Sequence, residues 1–212
     1  MKLQRKPVQS EVHIPVDLAF LVIERQLLAP FQLYIFLKTH SFGIVEKDPH
    51  FNTFIAQELR VSPNTIKNWV EKLLQFDWIG FDPISKLFYV RGFKVICSIE
   101  KIKSKRAAAF STANMNKLKG FMCALPYAHF ALYNNKERGQ RRAVHLMGNT
   151  FQLAQDLSTF TPVAISVISN HIEISAYKAY SIRKVAENEG FLIIKPNIKE
   201  LTSSNLYDFS KL

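Results

Sequence analysis

Residues 54–79, FIAQELRVSPNTIKNWVEKLLQFDWI, constrain the fold more than any other stretch of this chain. A short segment carries Ile55, Ala56 and Leu59 on one helical face, and a tight turn follows at Arg60, Val61 and Ser62. Ser62 is a good N-cap, and Pro63 sits at the first helical position, where its missing N–H costs nothing. Ile66, Trp69, Val70, Leu73 and Leu74 then recur at i, i+3, i+4, i+7 and i+8, the spacing of one buried face. Trp69, in the middle of that stripe, is expected to be structural, its truncation costing about 3–5 kcal/mol. The opposite face is polar: Asn64, Thr65, Lys67, Asn68, Glu71, Lys72 and Gln75. Two short helices at a tight turn, the second with Asn and Lys outward, form a helix-turn-helix suited to base edges and phosphates in a major groove. Ser62, Asn64, Thr65, Lys67 and Asn68 are the expected base-reading residues, with Lys72 on the phosphates.

The flanks extend the motif. Trp78–Phe81 and Leu87–Val90 read as strands, with Asp82-Pro83-Ile84-Ser85-Lys86 as the turn between them. A hairpin directly after such a helix is a wing, and Lys86 near its tip is placed to touch the sugar-phosphate backbone. Upstream, Val12-His13-Ile14 reads as a short strand and Pro30–Phe42 as an amphipathic helix. The run from EVHIPVDLAF through APFQLYIFLKTHSFG to IAQELRVSPNTIKNWVEKLLQFDWIGF resembles the winged helix-turn-helix domain of phage and plasmid replication initiators and related DNA-binding regulators. The resemblance covers roughly the first 90 residues. It implies the winged fold and DNA binding, and is specific for the fold rather than the biological role. Arg60 departs from the glycine that many such turns carry.

A weaker copy follows. With Ser175 laid on Ser62, VISNHIEISAYKAYSIRKVAENEGFLII aligns with FIAQELRVSPNTIKNWVEKLLQFDWIGF. Ile168, Ile172, Ala179, Ile182 and Ala186 then fall on Ile55, Leu59, Ile66, Trp69 and Leu73. Thr161-Pro162 offers a start to the first helix of this copy, and Gly190 stands where a C-terminal glycine belongs. Arg183 and Glu187 replace Val70 and Leu74, which thins the buried stripe. One wing strand, Phe191–Lys195, precedes Pro196. The outward face carries Tyr177, Lys178, Ser181 and Lys184, a second candidate DNA-reading helix. The alternative is a degenerate module used for pairing or for packing on the first.

Between the copies, Phe93–Ile102 fits helix or strand and Ala107–Phe110 a short strand. Ser111 or Thr112 can cap a helix to about Leu132, with Met115, Leu118, Met122 and Leu125 inward. Asn134–Arg142 (NNKERGQRR) reads as an exposed basic loop and linker, and Ala143–Leu157 as a further helix. Charge concentrates here: residues 93–150 hold 11 basic and 2 acidic groups, so nearly all of the net +11 lies in the middle of the chain. Lys101, Lys103, Lys105, Arg106, Arg138, Arg141 and Arg142 are therefore candidate phosphate contacts. A merely solvating surface is the competing reading.

Taken together, these features predict a mostly α chain with small β-hairpin wings, a tandem winged helix-turn-helix. Residues 1–92 form the first module, 93–142 a basic middle segment, and 143–212 the degenerate second module. A hydrophobic content of 48% suffices for real cores. No 18-residue apolar run and no signal-peptide core are present, so a reducing cytoplasmic setting at the nucleoid is expected, with no membrane partner. Cys97 and Cys123 read as buried free thiols. The scattered histidines lack ligand spacing, no phosphate-binding glycine motif occurs, and Tyr127 and Tyr133 read as structural, so neither a metal, a cofactor nor an enzyme is expected. The expected partner is double-stranded DNA, with a homodimer left open. The role is that of a transcriptional regulator, with a replication initiator of a phage, plasmid or mobile element as the alternative and a non-enzymatic protein adaptor as the third.

Overall fold

A computed structural model describes residues 10–103, 106–145 and 163–193, with the helical backbone alone over 135–145. Over these residues the protein is mostly helical, with two small antiparallel sheets. In chain order come β1 (Glu11–Pro15), α1 (Val16–Glu24), α2 (Leu28–His40), β2 (Ile44–Glu46), α3 (Phe51–Leu59), α4 (Pro63–Gln75), β3 (Ile79–Asp82), β4 (Leu87–Val90), α5 (Phe93–Ile99) and β5 (Ala107–Ser111). A 3-10 turn (Thr112–Lys117), α6 (Leu118–His145), α7 (Ile165–Ile172) and α8 (Ala176–Asn188) follow.

The strand at residues 12–14 is β1, and its partner is β5, with Val12 opposite Phe110 and Ile14 opposite Ala108. Alternation explains the pairing, because Val12, Ile14 and Phe110 all point into the core. The second sheet has the order β2-β4-β3, so the hairpin at β3 and β4 gains a third strand, with Val45 opposite Phe88. Neither α1 nor β2 was legible as an element in the sequence. Within residues 93–102, Phe93–Ile99 is helix, not strand.

Two cores share α1. Leu18, Ala19 and Val22 enter the first, with residues of α2, α3, α4 and the sheet. Val16, Phe20 and Ile23 enter the second, with Cys123, Ala124 and Tyr127 of α6 and Ile168, Ile172, Ala179, Ile182 and Ala186 of α7 and α8. A helix apolar all round must be covered on both sides, and α1 is covered by a different core on each. The first core also draws Ile96, Phe110, Leu118, Met122 and Leu125 from beyond residue 92.

Several expectations are corrected. Asn134–Arg142 is not a loop, because α6 continues through it to His145. Polar composition suggested a linker, but Lys, Glu, Arg and Gln are good helix formers and a single Gly139 is tolerated. The helix begins at Leu118 rather than at a Ser111 or Thr112 cap, because the intervening turn is 3-10 and Asn114 leaves helical geometry. Ala164, not Thr161, flanks the start of α7, and Thr161-Pro162 lies outside the described residues. Phe191–Ile193 is not strand, and residues 194 and 195 lie outside the described residues. Trp69 is half-buried against the core edge, so the expected 3–5 kcal/mol applies instead to Trp78, which is fully buried. Of the two free thiols, Cys123 is buried but Cys97 only half-buried; burial pushes the Cys123 thiol up to about 12.

Helix ends repeat one device. After α3 the Val61 N–H bonds the Ala56 carbonyl and the Arg60 N–H bonds that of Gln57, with Arg60 left-handed at φ 55°. This is the Schellman closure, which normally selects glycine. Gln26, Asp77, Lys101 and Glu173 take the same conformation, and among the described residues only α8 uses a glycine, Gly190. A side chain at left-handed φ costs about 1–2 kcal/mol, part of which glycine returns through its freer unfolded chain. Arg60→Gly is therefore expected to raise the melting temperature by about 2–4 °C. A lower value by calorimetry would show that the Arg60 side chain contributes more than its backbone costs.

At the second core His129 and His171 both meet Phe20 edge-on, at 5.4 and 5.2 Å between ring centroids. The His129 Nδ1 is buried without a partner. Burial first, then Arg106 and His171, push the His129 pKa below its ordinary value, against the opposing pull of Asp17. The unfolded chain therefore takes up this proton more readily, and stability should fall as pH drops below about 6.5. Melting curves from about pH 7.5 to 5.5 should show that loss, and His129→Phe should flatten it. An equal slope in the variant would assign the loss to other groups.

Candidate nucleic-acid interface

The helix pair α3–α4 carries the candidate surface. Its turn is held by the Arg60 closure on one side and by Ser62 on the other, whose Oγ accepts from the Thr65 N–H at 3.1 Å. Pro63 occupies the first helical position. Ile66, Val70 and Leu73 are buried, and Trp69 and Leu74 are packed beside them. This fixes the rotation of α4 so that Asn64, Lys67, Asn68, Glu71, Lys72 and Gln75 stand in solvent. Ser62 and Thr65 differ from the rest. Their hydroxyls bond each other at 2.8 Å, so both are already engaged in capping the helix.

The hairpin follows from the end of α4. Trp78 enters the core beside Phe31 and Tyr34, at 6.0 and 5.9 Å between ring centroids. Its indole N–H donates to Glu100 Oε1 at 3.0 Å, while Glu100 Oε2 meets Arg25 at 2.8 Å. The exit of the hairpin is tied down by Tyr34, whose hydroxyl donates to the Arg91 carbonyl at 2.8 Å. At the tip Asp82 accepts from the Ser85 hydroxyl at 2.6 Å and the Ile84 N–H at 3.0 Å. Those bonds, the Ser85 hydroxyl first, hold the Asp82 carboxyl below the usual carboxylate range. Lys86 is exposed there with a left-handed backbone, and Ile84, at 94% exposure, stands out beside it. Ile84 was not singled out from sequence. Its apolar character in a turn carries no signal until the fold shows it uncovered.

Asn64, Lys67, Asn68 and Lys72 thus share one helix face, and Lys86 stands at the tip of the hairpin that follows. The remaining cations lie elsewhere. Lys101 closes α5 beside Glu100, and Lys103 follows in the exposed connection to β5. The Arg106 carbonyl accepts from Val16 at the start of α1. Lys105 lies outside the described residues. Arg138, Arg141 and Arg142 belong to the last turns of α6.

The second helix pair repeats the first at a constant offset. Glu173 matches Arg60 in left-handed geometry, and Ser175 Oγ accepts from the Lys178 N–H at 3.2 Å as Ser62 does from Thr65. The bonds Ile174 to Ser169 and Phe191 to Ala186 repeat Val61 to Ala56 and Trp78 to Leu73. The outward residues differ. Tyr177 and Ser181 stand where Asn64 and Asn68 stand, Lys178 is half-buried, and Lys184 is paired with Glu187 at 2.8 Å. Tyr180, overlooked in the sequence, is exposed with the Arg183 guanidinium 5.1 Å over its ring. Tyr127 is structural: it is buried, and its hydroxyl donates to the Ala179 carbonyl.

Among the described residues no group of three or more His, Cys, Asp or Glu is placed to hold a metal ion. No helix there is long and apolar enough to cross a membrane. No protein-family model, curated protein or solved structure matches the chain.

Proposed function

We propose that this chain is a sequence-specific double-stranded DNA-binding protein built as a tandem winged helix-turn-helix, acting as a transcriptional regulator. The observation that carries the reading is the outward face of α4. Asn64, Lys67, Asn68 and Lys72 share a helix whose other side is locked into the core, with Lys86 exposed at the tip of the hairpin that follows it. In this reading α4 lies in the major groove, where Asn pairs with adenine and Lys with guanine. Lys86 meets the backbone beside it. The Ser62–Thr65 bond puts those two residues in the role of holding the helix start, which leaves readout to Asn64, Lys67 and Asn68. The cations at 101–106 and at the end of α6 add affinity that is independent of sequence and sensitive to salt.

A second reading, a replication initiator binding origin repeats, is favoured by the repetition of the helix pair within one chain. It needs the same DNA-reading parts, and genomic footprinting separates the two by whether promoters or an origin lie under the protected sites. The DNA reading itself is tested by selection from a random duplex library. Lys67→Ala with Asn68→Ala should flatten base preference without changing the melting temperature, each lost contact being worth roughly 1–3 kcal/mol of discrimination. An identical selected motif for the wild type and the double variant would remove α4 from base readout.

A further inference from the structure

The two helix pairs share a scaffold but present different chemistry. At the positions held in α4 by Asn64 and Lys67, α8 presents Tyr177 and Tyr180. Tyr177 is 82% exposed, so most of its ring stands in solvent. Tyr180 is covered by Arg183 on one face of its ring, with the Lys184 ammonium 6.0 Å from the centroid. Two cations thus flank the Tyr180 ring. Lys178 lies on the same helix, and the Lys184–Glu187 pair is exposed, so exchanging it for another anion costs little.

The path of α6 adds to this. Gly120 bonds Glu189 and Tyr127 bonds Ala179, so α6 and α8 run antiparallel. Phe130 reaches His171, at the end of α7, with ring centroids 4.9 Å apart. Helix α6 therefore passes the start of α8 near residue 130 and continues to His145, roughly 20 Å further at 1.5 Å per residue. Leu132 and Tyr133 are exposed on this stretch of α6. By sequence, the part of α6 beyond the start of α8 holds Lys136, Arg138, Arg141 and Arg142 against Glu137 alone.

We propose that the Tyr177–Tyr180 face of α8, together with the basic end of α6, binds an unpaired nucleic-acid strand. The proposal rests on the reading of this chain as a nucleic-acid-binding protein. Exposed aromatic rings bordered by cations are the means by which single strands are held, bases stacking on the rings and phosphates following the charge. A paired duplex keeps its base faces stacked inside, out of reach of a tyrosine ring on a helix surface.

The test uses the full chain and labelled oligo(dT) of about twenty nucleotides, long enough for a single-strand site. Wild type should bind it. Tyr177→Ala should weaken binding roughly tenfold and the double variant with Tyr180→Ala further, while Tyr177→Phe, which keeps the ring, should bind as wild type. Equal oligo(dT) binding by wild type and the double alanine variant overturns the proposal. So does a fall in sedimentation mass for that variant, which would make the face an interface between copies, or a Tyr177→Phe loss as large as that of alanine. Duplex selection on the same proteins separates the two readings. If no duplex motif emerges while oligo(dT) binding depends on Tyr177, the duplex reading falls and this one stands. A retained motif with oligo(dT) binding indifferent to both tyrosines removes this one alone.

Discussion

Trp78→Ala is expected to have the largest effect of any single substitution in the first core, about 3–5 kcal/mol from cavity formation alone. Trp78 is the largest fully buried side chain among the described residues and contacts Phe31, Tyr34 and Phe76. Its removal also takes a donor from Glu100, whose side chain is only 6% exposed and would be left with Arg25 alone. Because Trp78 joins α4 to the hairpin, the loss should reach both parts of the candidate interface. Thermal unfolding should show a drop of about 10 °C or more, with duplex binding lost in the same range. Trp78→Phe should fall between, keeping most of the packing but not the indole N–H. A variant that melts within a degree or two of wild type would mean that the surrounding rings close over the gap.

How much of this was legible in the sequence depends on which force fixed each element. The helix pair 54–75 was legible because three local signals agree: an apolar stripe at helical spacing, a serine cap and a proline at the first position. The copy at 165–188 was legible from fewer signals, the Ser175 cap and a thinner stripe with Ala176 in place of the proline, and its closures repeat the first set at an offset of 113 residues, as Glu173 does for Arg60. What local pattern could not show was pairing between distant segments. The strand β1 meets β5 almost a hundred residues later, and Ile44–Glu46 becomes a strand only because β4 is beside it. Helix α1 was missed because a helix apolar on both faces has no contrast between them. Helix ends were hidden as well, since Gln26, Asp77 and Lys101 occupy left-handed positions where a reader looks for glycine. In the candidate site the exposed polar residues of α4 followed from its stripe. The engagement of Ser62 with Thr65 and the exposure of Tyr177 and Tyr180 on α8 follow from side-chain geometry and packing, not from local pattern.

The attachment of the second helix pair can be broken at a single backbone position. Gly120 is the third residue of α6, where the N–H has no partner within the helix. It donates instead to Glu189 Oε2 at 2.9 Å, and the carboxylate also complements the positive end of the helix. A Cβ on residue 120 would lie 2.5 Å from that oxygen and 2.6 Å from the Glu189 Cβ. The oxygen can swing aside, but the Cβ is fixed to the backbone, so the end of α8 has to retreat. Overpacking of this kind costs about 1–3 kcal/mol, and a charge-assisted hydrogen bond worth about 1.5–3 kcal/mol is strained or lost with it. Gly120→Ala is therefore expected to loosen α8 while leaving the first core intact. Amide exchange should quicken at Ala179, Ile182 and Ala186 and stay slow at Ile66 and Leu73. Adding Glu189→Gly removes the colliding Cβ, so the double variant should recover more than the two single losses predict, a coupling that a mutant cycle measures directly. Strict additivity, or exchange that quickens equally in α4, would show that Gly120 is conserving helix geometry rather than holding the second helix pair in place.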